Sequence, residues 1–120
     1  MTLKVLDERG RTVNEDNPII TEHNGETGDV VTLPLTLVNG SARHYHRDTS
    51  LRVDSFFPVS ARLLIPEESV PSYTPSKMIR IINPSDVIPF NLRLTVGPDT
   101  PEQVVREINL VISSMKYPVP

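Results

Sequence analysis

Cysteine and tryptophan are absent from this 120-residue chain, and glycine (five), phenylalanine, tyrosine and histidine (three each) are scarce. Without cysteine there is no disulfide, no thiolate metal site and no thiol nucleophile, and the redox compartment is left open. Positive charge is not in excess either: the net charge is −3 and the isoelectric point about 5.5, so neither a phosphate backbone nor an anionic membrane is an expected partner. No apolar run approaches the roughly 18 residues of a membrane span. The opening from Met1 to Asp7 does not read as a signal peptide, and the expectation is a soluble chain. The local signatures of common enzyme classes are missing: there is no Gly-x-Ser-x-Gly elbow, no phosphate-cradling glycine loop and no His-Glu-x-x-His. A non-enzymatic protein without cofactor is the resulting expectation.

What the sequence does have is period two. In Val31-Thr32-Leu33-Pro34-Leu35-Thr36-Leu37 the apolar side chains fall on alternate positions, which places them on one face of an extended strand. The alternation returns over 90–96 and 59–65, and more briefly over 51–54 and 79–81. Turn signals separate these segments, and Asn39-Gly40 predicts a hairpin reversal after the first of them. Short strands with regular turns define a β-sandwich or barrel. Twelve prolines agree with that class, since each removes a backbone donor; Pro34 and Pro58 are expected at a sheet edge or a bulge. One domain suits the length, because a chain of this size buries about two-thirds of its unfolded surface in a single core.

The segment after Gly97 admits two readings. Thr100-Pro101-Glu102-Gln103 has the cap, the first-position proline and the following Gln of a helix start, with Val104, Ile108, Val111 and Met115 at helical spacing. Residues 106–114 also alternate, with Ile108, Leu110 and Ile112 on one side, and their β-branched content favours a strand. The last residues, Met115-Lys116-Tyr117-Pro118-Val119-Pro120, carry two prolines and are expected to leave the ladder as an extended arm over 115–120, beyond a sandwich domain of 1–114.

Candidate site residues are few. His44 and His46 share one strand face, with Asp48 two residues on; with His23 they could seat a divalent cation, yet Arg43 and Arg47 flank the pair and oppose it, so no metal is expected. The plain alternative places both histidines on the wet face of a strand. The acidic pairs Asp7-Glu8, Glu15-Asp16 and Glu67-Glu68 could serve acid–base chemistry only if they converged. Arg43, Arg47, Arg52, Arg62, Arg80 and Arg93 sit mostly on the polar phase, where they solubilise strands and guard edges. Residues 66–75, with three prolines and Tyr73, read as an exposed loop. The partner-contact candidates are therefore His44, His46, Tyr73 and Tyr117.

The layout resembles small immunoglobulin-like β-sandwich virion proteins of tailed bacteriophages. The opening Leu3-Lys4-Val5-Leu6-Asp7 with Gly10, then Asn17-Pro18-Ile19, Gly25-Glu26-Thr27-Gly28 and Leu37-Val38-Asn39-Gly40, is similar to the first half of that pattern. Pro89-Phe90-Asn91-Leu92-Arg93-Leu94, Gly97-Pro98-Asp99-Thr100-Pro101 and Ile108-Asn109-Leu110-Val111-Ile112 are similar to its last hairpin. The resemblance implies an all-β immunoglobulin-like antiparallel sandwich of about seven to eight strands. It also implies a structural module of the capsid, neck, tail or baseplate, made in the host cytoplasm and present in many symmetric copies beside other virion proteins. It carries no catalytic residues. A receptor- or carbohydrate-binding module is the alternative, which would need exposed aromatic rings.

Overall fold

The structure is a computed structural model that describes residues 3–23, 30–55, 59–97 and 104–120. Nine strands form: β1 (Leu3–Leu6), β2 (Ile20–His23), β3 (Val30–Asn39), β4 (His44–Val53), β5 (Val59–Leu64), β6 (Ser76–Ile82), β7 (Val87–Val96), β8 (Val104–Glu107) and β9 (Leu110–Pro118). All pairs are antiparallel, and no helix occurs among the described residues. A four-stranded sheet in the order β1-β3-β7-β5 packs on a three-stranded sheet in the order β6-β4-β9, and β2 pairs with β8 as a separate ribbon.

The core lies where alternation puts it. Leu3 and Val5 of β1, Leu35 and Leu37 of β3, Val59, Ala61 and Leu63 of β5, and Phe90, Leu92 and Leu94 of β7 face inward from the larger sheet. Leu51 and Val53 of β4 and Ile82 of β6 meet them from the smaller one, with Ile79, Leu110 and Ile112 packed against the cluster. Each fully buried Leu or Phe of this set contributes about 1.5–3 kcal/mol relative to exposure. The five strands expected from period two are all present, most of them longer than the alternating motif that announced them.

Pro34 is tolerated because of length mismatch between neighbours. The β1 register on β3 ends at Leu6↔Thr36, so at Pro34 that flank of β3 has no partner and no β1 rung is lost. Pro89 of β7 repeats the device, since β5 pairs only as far as Leu64↔Asn91. Pro58 lies outside the described residues.

Three expectations need correction. The Asn39-Gly40 reversal is not a hairpin: β3 and β4 belong to different sheets, and Gly40 lacks the positive φ such a turn requires. The Asn39 side chain, wholly buried, explains why. Its Nδ2 donates to the carbonyls of His44 (2.9 Å) and Asn83 (3.1 Å), and its Oδ1 accepts from the Ser41 N–H (3.1 Å), so it laces one sheet-to-sheet crossover to the other. The closing hairpin is not formed either. β7 and β9 lie in opposite sheets, and none of the nine strands is hydrogen bonded to the one before or after it, so the neighbour pairing of an immunoglobulin domain is not seen among them.

Nor do residues 115–120 leave as an arm. The β4–β9 ladder runs on through Arg47↔Met115, His46↔Lys116, Tyr45↔Tyr117 and His44↔Pro118, and the Val119 N–H donates to the Arg43 carbonyl at 2.8 Å. Pro118 fits because it is the last residue of an edge strand. The helix-or-strand segment is resolved as strand, but as two: β8 pairs with β2, the chain breaks at Ile108-Asn109 with Ile108 buried, and β9 enters the smaller sheet. Thr100 to Gln103, the proposed helix start, lie outside the described residues.

Candidate interaction surface

The smaller sheet is organised by an irregularity in β4. Its register on β9 passes from Arg47↔Met115 to Ser50↔Ser113, leaving Asp48 and Thr49 opposite Ser114 alone, which is a β-bulge. Asp48 accommodates it with φ of +50°, a left-handed conformation that Asp adopts more readily than most residues. The bulge reverses the alternation. Before it, His46 points inward and Tyr45 and Arg47 outward; after it, Thr49, Leu51 and Val53 point inward and Ser50 and Arg52 outward.

The inward polar groups of β4, His46 and Thr49, meet Ser114 of β9. The Ser114 hydroxyl lies between the Thr49 hydroxyl (2.7 Å) and His46 Nδ1 (3.0 Å). With 2% of its surface exposed, His46 has none to offer a partner, and its place on a wet face is corrected. Burial pushes its pKa below the ordinary histidine value, helped by the charge of Lys116 and by His44. His44 is half-buried, with Nδ1 3.1 Å from the Ser41 hydroxyl that also accepts the His44 N–H. Asp48 is exposed at the bulge and does not join them; among the described residues no three His, Asp or Glu side chains gather as metal ligands.

The outward positions assemble differently. Cross-strand register places Ile81, Arg47 and Met115 in one row, Met78, Ser50 and Ser113 in the next, and Ser76, Arg52 and Val111 in a third. Tyr45 and Tyr117 stack beyond Arg47, with ring centroids 5.5 Å apart and planes inclined by 25°. Met78, Ile81 and Met115 are 66%, 44% and 53% exposed. Single exposed apolar residues are ordinary; two methionines, an isoleucine and a tyrosine pair on one outward sheet face form a patch of the kind partners cover. Only Tyr117 of the sequence candidates belongs to it. The others were missed because Met78 and Ile81 lie across a strand boundary that only pairing reveals.

Tyr73 lies over the opposite sheet. The Arg93 guanidinium sits 3.6 Å from its ring centroid, and Arg93 points outward from β7. Arg93 stands opposite Arg62 in the β5–β7 register, and the Tyr73 ring gives one of these like charges a partner. The 66–75 loop is pinned rather than free. Thr74 exchanges both backbone hydrogen bonds with Leu63, and the buried Lys77 Nζ reaches the Ser72 carbonyl at 2.6 Å and the Glu68 carboxylate at 2.7 Å. The four candidates therefore divide among the interior and two opposite outer faces.

A cleft of about 270 Å³ opens between the β1–β2 connection and β3, lined among others by Asp7, Arg11, Asn17, Ile19, Leu33 and Pro34. Its carboxylate is already engaged: Asp7 accepts the N–H groups of Arg9 and Arg11, both at 2.9 Å, and the Asn17 amide at 3.2 Å. These bonds, that from Arg11 foremost, hold its pKa below the usual carboxylate range. Asp7 thus closes a turn completed by Gly10 at φ of +78°, and is poorly suited to act as a base. The three acidic pairs do not converge, since Asp7 serves this turn, Glu68 serves Lys77, and Glu15 and Asp16 are exposed.

No protein-family description, no curated protein and no solved structure matches this chain.

Proposed function

We propose that this protein is a structural module of a tailed-phage virion, an accessory piece of the capsid, neck, tail or baseplate that works by adhesion and performs no catalysis. The observation that carries the reading is the outward face of the β6-β4-β9 sheet, where Tyr45, Tyr117, Met78, Ile81 and Met115 surround Arg47. Aromatic residues, Met and Arg are the side chains enriched where protein surfaces meet. A small rigid sandwich that docks weakly becomes effective when repeated, because many copies on a symmetric lattice convert weak contacts into avidity. The resemblance noted in the sequence supplies the lattice, namely other virion proteins.

The test is quantitative proteomics and imaging of purified particles from the phage that encodes the chain. The reading expects a fixed copy number in symmetric positions. Absence from the particle would overturn it, and saturable binding on a glycan array would favour the carbohydrate module instead. That alternative is weakened by Tyr73, one ring face of which is already covered by Arg93.

A further inference from the structure

We infer that the outward face of the β6-β4-β9 sheet is built for a partner surface that presents a carboxylate among apolar side chains; the inference rests on the docking role proposed above. Arg47 occupies the middle strand, between Ile81 on one side and Met115 on the other, with the Tyr45–Tyr117 stack at the next rung. It forms no ion pair, side-chain hydrogen bond or ring contact within the described residues, and Arg80, exposed on β6 beside it, forms none either. Arg52, further along the same face, is paired with Asp54 at 3.3 Å. Asp48, the one carboxylate within β4, lies at the bulge within ion-pair distance of neither free arginine. The patch is therefore positive on a molecule whose net charge is negative.

Covering such a face removes water from Arg47. A guanidinium left without a counter-charge in a dry interface is strongly unfavourable, whereas its planar fork meets a carboxylate through two parallel hydrogen bonds. The occupant must supply that carboxylate, and the flanking Met, Ile and Tyr side chains require apolar groups around it. A second copy docking face to face is disfavoured by the same charge: a two-fold axis would bring Arg47 onto or near its own symmetry mate, with no outward carboxylate in the three rows to separate them.

The probe is a short peptide of Glu, Asp, Leu and Met, compared with one in which Gln and Asn replace the acids and one in which Lys replaces them. Binding is read from tyrosine fluorescence, which tryptophan does not obscure in this chain, and self-association is read by sedimentation. The acidic peptide is expected to bind, Arg47→Glu to weaken it by about tenfold or more, as loss of an interface arginine does, Arg47→Lys to weaken it less, and the Lys peptide to prefer the Arg47→Glu protein. Circular dichroism confirms that each variant is folded. Equal binding of the neutral peptide would leave the docking role standing and overturn the carboxylate requirement. Self-association abolished by Arg47→Glu would overturn it in favour of a second copy. A chain that binds no peptide and stays monomeric at every concentration would defeat both readings.

Discussion

Asn39 illustrates how much one side chain can hold. A buried amide that serves three backbone groups on two crossovers cannot be truncated without leaving polar atoms unpaired, at roughly 1–3 kcal/mol for such a loss. Asn39→Ala is therefore expected to lower stability by that amount in denaturant titration. Asn39→Asp should be no better, since its carboxylate would face two carbonyl oxygens; a stable Asp variant would refute the assignment. His46 makes a pH-dependent contribution. Its folded pKa lies below the ordinary 6.5, so the unfolded chain takes up the proton first as pH falls. Stability from this group is complete above about pH 6.5 and is lost on acidification towards the folded value. Denaturation midpoints measured from pH 8 to 5 should fall, and fall less in His46→Gln; identical slopes would exclude His46 as the source. Neither role was legible in the sequence. Asn39 read as a turn residue because Asn-Gly is a turn dipeptide, and His46 read as exposed because the strand after that turn was given a wet face.

Among elements, β9 departs furthest from what its residues suggest. Two prolines close to the C-terminus predict a loose end, yet the strand continues because β4 offers a free flank as far as His44 and Tyr117 finds Tyr45 to stack on. Removing the residues after Ser114 deletes four cross-strand pairs, worth about 0.2–1 kcal/mol each, or about 1–4 kcal/mol together. A lower thermal midpoint is expected; an unchanged one would restore the loose-arm description. By contrast, β3, β5 and β7 were legible almost residue by residue, because each has one buried face and therefore shows clean alternation. β2 and β8 were not, being four-residue strands that among the described residues pair only with each other, too short to show a period.

The whole molecule is an elongated sandwich of 54 × 33 × 20 Å, and among the described residues none of the nine strands pairs with its sequence neighbour. Every ladder must close a long loop before any hydrogen bond forms, so the entropic cost is met early and the return comes late. Folding is expected in milliseconds to seconds, the range of sandwiches dominated by non-local pairing. Stopped-flow refolding followed by tyrosine fluorescence measures it directly, and microsecond folding would contradict this topology.

Period two in the sequence determined that the chain is all-β and which side chains of β3, β5 and β7 are buried, and its length that one core suffices. Tertiary structure alone decided which strands lie side by side, that β4 bulges at Asp48, and that Met78, Ile81, Arg47, Met115 and two tyrosines share a face. The reason is that alternation is a property of side chains, written residue by residue, whereas ladders are made by backbone groups that are chemically the same at nearly every position. Partner choice between strands is left to the summed packing of the core, which exists only once the sheets have met.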